Sequence, residues 1–284
     1  TWNDQWPLTA AGIPSVYLVT KDGSTYRSQW YHTQYDRMDL IEWPYYAKNV
    51  KWAFECVKGF DRGIGRLLPY NFTARADQLG DHLDFAALKA DGVPDRLVDD
   101  LEADHAAFAA AAKRFDENKG LIPWSQREQV NRKLMAIAKE LNSSLTALDA
   151  WDFTCYPHDQ VQWDVEYLNA AIDALPADPA TAEENLWSVG QMYYAQYFSE
   201  PVYLRHLQRI KPTYYRVNWG GQGHLAPYPR LTDEVDLIQA ARLDEAKTKL
   251  IAKRDKHLDV LEDRLHDLRM LLQSVADDLD VLVP

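Results

Sequence analysis

The clearest hydrophobic pattern in the chain lies near its C-terminal end. Apolar residues recur there three and four residues apart, which is the spacing of a helix face that packs against a partner helix. We expect this long helix to contact either other helices of the same chain or a second copy of it. The positions are Leu258, Leu261, Leu265, Leu268, Leu272, Val275, Leu279 and Leu282.

Helical periodicity also dominates most of the chain before this segment. Apolar residues mark one face of each segment, as Val130, Leu134 and Ile137 do in the third of them. The N-terminal part differs, since residues 16–20 are β-branched or aromatic and predict a strand, followed by a turn at 21–24. Helices are predicted over residues 36–60 with Pro44 near the start, 94–118, 125–148, 158–175, 182–198 and 201–210. The 158–175 helix is expected to end at Pro176-Ala177-Asp178-Pro179.

Composition and charge narrow the class of protein. The chain has 284 residues and 46% hydrophobic content, which suffices for a globular core. Its net charge is −12, and residues 1–70 hold eight Lys or Arg against seven Asp or Glu, so the acidic excess lies downstream. Nucleic-acid binding requires clustered basic residues, so we expect no nucleic-acid partner. No apolar run of transmembrane length and no signal peptide is predicted.

The two cysteines give no motif. Cys56 and Cys155 lie far apart without the C-x-x-C spacing, so a disulfide between them is left open. Cys155 lies three residues before His158, a spacing that permits a metal pair, but no second pair elsewhere in the sequence supports one.

The stretch around His32 is the strongest candidate for chemistry. It reads Trp30-Tyr31-His32-Thr33-Gln34-Tyr35-Asp36 and follows the predicted strand. A histidine in a loop after a buried strand can bind a metal ion through one ring nitrogen. A neighbouring tyrosine hydroxyl can donate a hydrogen bond to a polarised carbonyl oxygen. The stretch therefore predicts one corner of an active site.

Several motifs together resemble the zinc aminopeptidase and glutamate carboxypeptidase family, which includes the transferrin receptor as a relative without peptidase activity. The most specific are Asn3-Asp4-Gln5-Trp6-Pro7, Ala11-Gly12-Ile13-Pro14-Ser15, Tyr31-His32-Thr33, and Tyr35-Asp36 with Asp39. Leu67-Leu68-Pro69-Tyr70-Asn71 and Ala226-Pro227-Tyr228-Pro229-Arg230 resemble later junctions of the family less specifically.

The resemblance implies a fold and a site. The fold would be mainly α: residues 1–70 would be the C-terminal edge of an α/β zinc-peptidase sandwich, and residues 71–284 a helical dimerisation domain. His32 would be the last protein ligand of a two-zinc site, and Tyr31 would stabilise the oxyanion. Asp36 would lie around the ligand, not on the metal. Asn3 and Asp4 would border the substrate pocket, although Gln5 stands where many relatives have histidine.

The remaining parts of such a site are expected outside this chain. In the family the other zinc ligands and the glutamate base come from sequence before the Ala-Gly-Ile-Pro strand, and only Asp4 and Asp22 are carboxylates upstream of His32. We therefore expect an upstream polypeptide that completes the site, a peptide substrate and a homodimer formed by the helical domain. An extracellular or periplasmic location is expected from the resemblance only.

Substrate contacts late in the chain are less defined. Aromatic residues cluster between Trp187 and Trp219, where they line a pocket or an interface, or pack between helices. The glycine-rich loop that follows contains His224, and both it and Tyr228 are candidate substrate contacts. The loop lacks the Lys-Tyr pair by which glutamate carboxypeptidases grip a glutamate carboxylate, so specificity for C-terminal glutamate is in doubt.

Two other functions compete with the zinc exopeptidase. A non-catalytic dimerisation and binding module of the transferrin-receptor type would share the fold without hydrolysis. An N-terminal nucleophile hydrolase would use Thr1 as nucleophile and base, but it needs stacked sheets that a helical chain does not offer.

Overall fold

The computed structural model describes residues 6–15, 30, 33–61, 66–148, 154–190, 199–202, 205 and 230–283, and these are mainly helical. Ten α-helices lie in the described residues, with short 3-10 turns at Met38–Leu40, Lys119–Leu121 and Trp124–Gln126. The helices are α1 (Trp6–Ala10), α2 (Trp43–Asp61), α3 (Phe72–Gly80), α4 (Phe85–Asp91), α5 (Asp95–Asn118), α6 (Arg127–Ser144), α7 (Asp159–Ala174), α8 (Pro179–Ser188), α9 (Thr232–Gln239) and α10 (Leu243–Leu282).

The sheet content of the described part is one antiparallel pair of two-residue strands. β1 (Ala147–Leu148) pairs with β2 (Thr154–Cys155), with Ala147 opposite Cys155. The sequence predicted helix through Leu148, but α6 ends at Ser144 and Leu145 is buried in the core. The mainly α class is confirmed by the ten helices. An α/β edge is not seen among the described residues, and the predicted strand at 16–20 lies outside them.

Local sequence explains where several helices begin. The side chains of Asn71 and Asp84 accept hydrogen bonds from the first turns of α3 and α4, at 3.0 and 2.9 Å. Asp178 caps α8 in the same way at 3.1 Å, with Pro179 in its first turn. The sequence prediction placed this helix start at Ala182, because the two prolines at 176 and 179 were interpreted as the end of the preceding helix.

Helix α10 is the axis of the fold. Its 40 residues give a length of about 60 Å, and it packs against α5, α7, α9 and α6. One core cluster joins α10 from Leu261 onward to α3, α5 and α6. A second cluster joins Ala246 and Leu250 of α10 to α7, α8 and α9.

The predicted leucine seam of α10 is filled within the chain. Seven of its eight positions are buried, Leu258 being half-buried. Since helices of the same chain cover this face, a homodimer contact would have to use another surface. No helix in the described part has the length and apolarity that a membrane span requires.

We expect Leu265→Ala to lower the free energy of unfolding by about 3 kcal/mol, because it leaves a cavity in a fully buried site. Val281, on the same helix, is 73% exposed, and Val281→Ala should change stability by less than about 0.5 kcal/mol. Urea unfolding followed by circular dichroism measures both. Equal small losses would mean that the α10 seam is not the core.

Candidate functional site

The predicted site residues lie almost entirely outside the described part of the chain. Only Asp36 is described, and its side chain is exposed. The positions of the predicted site residues relative to one another therefore remain a prediction. The undescribed ones are Asn3, Asp4, Tyr31, His32, His224 and Tyr228.

The residues on either side of Tyr31 and His32 are hydrogen-bonded to each other. The Trp30 carbonyl accepts from the Thr33 backbone N–H at 2.9 Å and from its hydroxyl at 2.7 Å. The Asp36 N–H donates to the Thr33 carbonyl at 3.1 Å. Thr33, the third residue of the family-like motif, therefore links Trp30 on one side and Asp36 on the other.

The Ala11-Gly12-Ile13-Pro14 segment, which is a strand in the family that it resembles, forms a turn and irregular chain here, and it is attached to the helical domain. Gly12 has a φ of +81° and ends α1, a position that favours glycine. An added Cβ at Gly12 would lie 2.1 Å from the Met135 carbonyl oxygen and 2.8 Å from the Lys139 nitrogen. The absence of a side chain therefore lets this segment lie directly on the backbone of α6.

Two hydrogen bonds hold the segment in place. The Tyr70 hydroxyl donates to the Gly12 carbonyl, and the Asn142 amide donates to the Thr9 carbonyl at 2.6 Å. Burial raises the pKa of Tyr70 to about 12, so its hydroxyl keeps the proton that it donates. Tyr70 belongs to the family-like Leu-Leu-Pro-Tyr-Asn stretch, which identifies a structural purpose for that motif.

A cleft of about 530 Å³ lies beside this attachment. Its walls include Ile13, Pro14, Ser15, Tyr70 and Asn142. These groups offer hydrogen bonds and apolar contact, and the raised pKa of Tyr70 keeps its hydroxyl protonated at neutral pH. The cleft can hold a neutral polar group or a chain segment, but these walls do not supply acid–base chemistry.

Helix α2 exposes an apolar stripe. Trp43, Tyr46, Val50, Phe54 and Val57 follow the helical spacing of three and four residues, yet they are 49% to 63% exposed. We call these five residues the α2 stripe. A helix with such a stripe normally buries it, and contiguous exposed apolar surface marks an interaction site.

The structure brings together a pair that sequence analysis missed. His82, at the end of α3, lies 3.1 Å through Nδ1 from Oδ2 of Asp159, the first residue of α7. The Tyr156 N–H donates to the same oxygen at 2.9 Å, and the Tyr156 ring lies 4.7 Å from the His82 ring. The pair joins residues 77 positions apart, so no local pattern could have found it.

His158, singled out as a metal partner of Cys155, has a packing role. It is 2% exposed, and its Nε2 donates to the His82 carbonyl at 3.0 Å. Burial lowers its pKa, which keeps the ring neutral at pH 7. Cys155 is buried, and no disulfide joins it to Cys56.

His158 also lines a second cavity, of about 320 Å³, between α6 and α10. Charged residues of both signs, including Glu140, Arg264 and Asp267, share its walls with leucines. Burial lowers the pKa of Arg264. Asp36, the predicted site residue that lies in the described part of the chain, does not line this cavity.

Within the described residues, no three His, Cys, Asp or Glu side chains converge as metal ligands. Comparison with known proteins finds no family model, no curated protein and no solved structure that matches this chain. The assignment of function therefore depends on the motifs of the chain and on the surfaces described above.

Proposed function

We propose that this chain is the C-terminal part of a two-zinc exopeptidase that hydrolyses peptide or amide bonds. In this proposal His32 binds one zinc ion, Tyr31 donates a hydrogen bond to the oxyanion, and Asp36 supports the ligand loop. Asn3, Asp4, His224 and Tyr228 contact the substrate. Residues 1–70 form the edge of the α/β sandwich, including a strand at 16–20, and residues 71–284 form the helical dimerisation domain.

The observation that supports this proposal best is the α2 stripe. Helix α2 begins eleven residues after His32, and none of its described side chains is buried. In an α/β sandwich a helix that follows a strand packs its apolar face against the sheet. The α2 stripe is the face that such a sheet would cover, and an upstream polypeptide carrying the rest of the sandwich supplies that cover.

The attachment of the Ala-Gly-Ile-Pro segment adds a second argument. This segment precedes the strand proposed at 16–20, and Gly12 fixes it to α6. The helical domain therefore provides a fixed base for the polypeptide that leads to His32. Because a small displacement of a metal ligand slows catalysis, a rigid attachment point for the polypeptide that carries it benefits function.

The donor set of this chain does not make a zinc site by itself. Structural and catalytic zinc sites use three or four protein donors, and the motif supplies one imidazole. The other ligands and the general base are assigned to the upstream polypeptide. Zinc, when bound, supplies Lewis-acid activation, whereas the residues of this chain position the ligand and donate a hydrogen bond to the oxyanion.

The proposal is tested on the protein produced together with its upstream polypeptide. We expect two zinc ions per chain by mass spectrometry and hydrolysis of aminopeptidase or carboxypeptidase substrates that a chelator abolishes. Residues 1–284 alone should bind far less than one zinc ion. Stoichiometric zinc in residues 1–284 alone would contradict the shared site. A zinc-free complex that still dimerises would favour the module of the transferrin-receptor type.

The location follows the same proposal. The family relatives that the motifs resemble are mostly exported or membrane-anchored, so we propose an extracellular or periplasmic protein.

The α2 stripe gives a separate prediction. Replacing Val50 and Phe54 together by lysine should weaken association with the upstream polypeptide at least about a hundredfold, since two buried apolar side chains contribute roughly 3 kcal/mol or more. Isothermal titration or size-exclusion chromatography measures the association.

Glu55→Lys is the matched control, because Glu55 lies on the opposite side of α2 and its replacement by lysine also adds positive charge. We expect this variant to associate normally. Equal association of the control and the double variant would mean that the α2 stripe does not contact the upstream polypeptide.

A further inference from the structure

A carboxyl group is buried at the boundary between the two core clusters. Asp164 of α7 is 0% exposed. Its Oδ1 accepts hydrogen bonds from the Gly190 backbone N–H and from Gln160 Nε2, both at 2.9 Å. Its Oδ2 is buried without a hydrogen-bond partner. A buried carboxylate oxygen without a partner is unfavourable, so this atom requires an explanation.

An imidazole nitrogen that also lacks a hydrogen-bond partner lies 3.9 Å from that oxygen. His257 of α10 is 3% exposed, and its Nδ1 donates to the Lys253 carbonyl at 2.9 Å. Because a carbonyl can only accept, the proton of the neutral ring lies on Nδ1 and Nε2 carries a lone pair. Nε2 has no partner and lies 3.9 Å from Asp164 Oδ2.

The two atoms face each other as acceptors when the pair holds no proton. One proton on Oδ2 or on Nε2 turns the same geometry into a hydrogen bond after a shift of about 1 Å. A single added proton therefore satisfies both orphaned atoms at once.

The charged group beside the pair, the Lys253 ammonium, is already paired with a carboxylate. From α10, Lys253 faces His257, and its ammonium is paired at 2.7 Å with Glu234 of α9, which is 2% exposed. From α7, Gln160 is neutral, and from the end of α8 only the Gly190 backbone contacts Asp164. Among the described residues, the proton state of the pair is thus decided by Asp164 and His257 themselves.

We infer that Asp164 and His257 share one proton at and below neutral pH and so form a proton-dependent latch between α7 and α10. The latch also holds Gly190, the residue at which the chain enters the aromatic-rich stretch from 191 onward. Release of the proton at higher pH leaves two acceptors facing each other and opens the latch. This inference does not depend on the zinc-peptidase proposal.

The expected pKa values agree with this arrangement. Burial raises the pKa of Asp164 to about 7 and lowers the pKa of His257. In the unfolded chain the two groups titrate near ~4 and ~6.5. Between these values the folded pair and the unfolded pair each carry one proton, so this pair should leave wild-type stability nearly independent of pH.

Each single variant should then show a pH dependence of stability that the partner residue cancels in the wild-type protein. In His257→Leu only Asp164 titrates; its raised pKa gives stability that is complete below about pH 4 and is lost as pH rises through 7. In Asp164→Asn only His257 titrates; its lowered pKa makes stability fall as pH drops below ~6.5. We expect opposite slopes in urea unfolding, with a change of at least about tenfold in the unfolding equilibrium constant of His257→Leu.

A spectroscopic readout distinguishes a shared proton from two independent groups. In wild-type protein labelled with ¹⁵N-histidine, the Nε2 resonance of His257 should move between pH 6 and pH 9 with a midpoint near the pKa of Asp164. In Asp164→Asn the side-chain amide donates permanently, so the resonance should stay constant over that range.

A wild-type His257 resonance that does not move between pH 6 and pH 9 would overturn the inference, as would an identical titration in Asp164→Asn. The first of these tests needs only the wild-type chain. It therefore stands even where a variant fails to fold.

Discussion

If the proposed two-zinc exopeptidase function is correct, His32→Ala should remove at least one of the two zinc ions from the complete protein and abolish most hydrolysis. Loss of an outer hydrogen-bond partner of a metal ligand already costs about 10- to 100-fold in affinity or activity. Loss of the ligand itself should exceed that range, because its coordination position on the ion is then left to water. Zinc by mass spectrometry and kcat/KM on a dipeptide substrate measure the two effects.

Tyr31→Phe is the informative companion variant. It removes only the proposed oxyanion donor, so kcat should fall about 10²- to 10³-fold while both zinc ions stay bound. His266→Ala, which removes an exposed histidine of α10, should change neither zinc content nor rate. Full zinc and full rate in His32→Ala would show that the motif is not a ligand site, and full rate in Tyr31→Phe would remove the oxyanion assignment alone.

The helices could be predicted because their signals are local. Residues 94–118 were predicted as a helix and the structure gives Asp95–Asn118. Its apolar period lies within the segment, and the proline and glycine that mark its ends lie directly beside it. The α10 seam was predicted for the same reason, but its covering partners could not be, since a heptad pattern is identical whether the partner helix is near or on another molecule.

Errors at boundaries came from competing local rules. Apolar spacing placed the start of α2 at residue 36, whereas Met38–Leu40 forms a 3-10 turn and the α-helix begins at Trp43. The sequence Pro176-Ala177-Asp178-Pro179 was interpreted as a stop, although its last two residues are also the cap and first turn of α8.

The polar pairs of the structure could not be predicted, because their members come from distant segments. His82 with Asp159, and Asp164 with His257, are joined only by the packing of α7 against α3 and α10. Each residue on its own has the pattern of an ordinary helical or loop position. The assignment of His32 and Tyr31 came from a resemblance of motifs, and these residues lie outside those the structure describes.

Gly12→Ala should detach the N-terminal segment from the helical domain. The φ of +81° costs an L-residue about 1–2 kcal/mol, and the added Cβ would lie 2.1 Å from the Met135 carbonyl oxygen. That oxygen belongs to the backbone of α6, which cannot move without breaking the helix. The strain is instead relieved when residues 6–15 leave α6.

Hydrogen exchange measured by mass spectrometry tests this directly. Peptides covering residues 6–15 should lose protection in Gly12→Ala, whereas peptides of α5 and α10 should keep theirs. Tyr70→Phe removes one hydrogen bond to Gly12 and should produce a smaller loss, about 1 kcal/mol in the docking equilibrium. Gly59→Ala is the matched control, because nothing lies within 4 Å of an added Cβ there.

The same variant connects the attachment to the proposed activity. In the complete form of the proposed exopeptidase, Gly12→Ala should lower kcat/KM although Gly12 has no assigned role in the reaction, because it frees the polypeptide that leads to His32. A misplacement of about 1 Å can cost roughly a hundredfold in rate, so a loss of that order is expected with most of the zinc retained. Unchanged protection of residues 6–15 in Gly12→Ala would contradict the attachment, whereas lost protection with full activity would show that the attachment does not position the site.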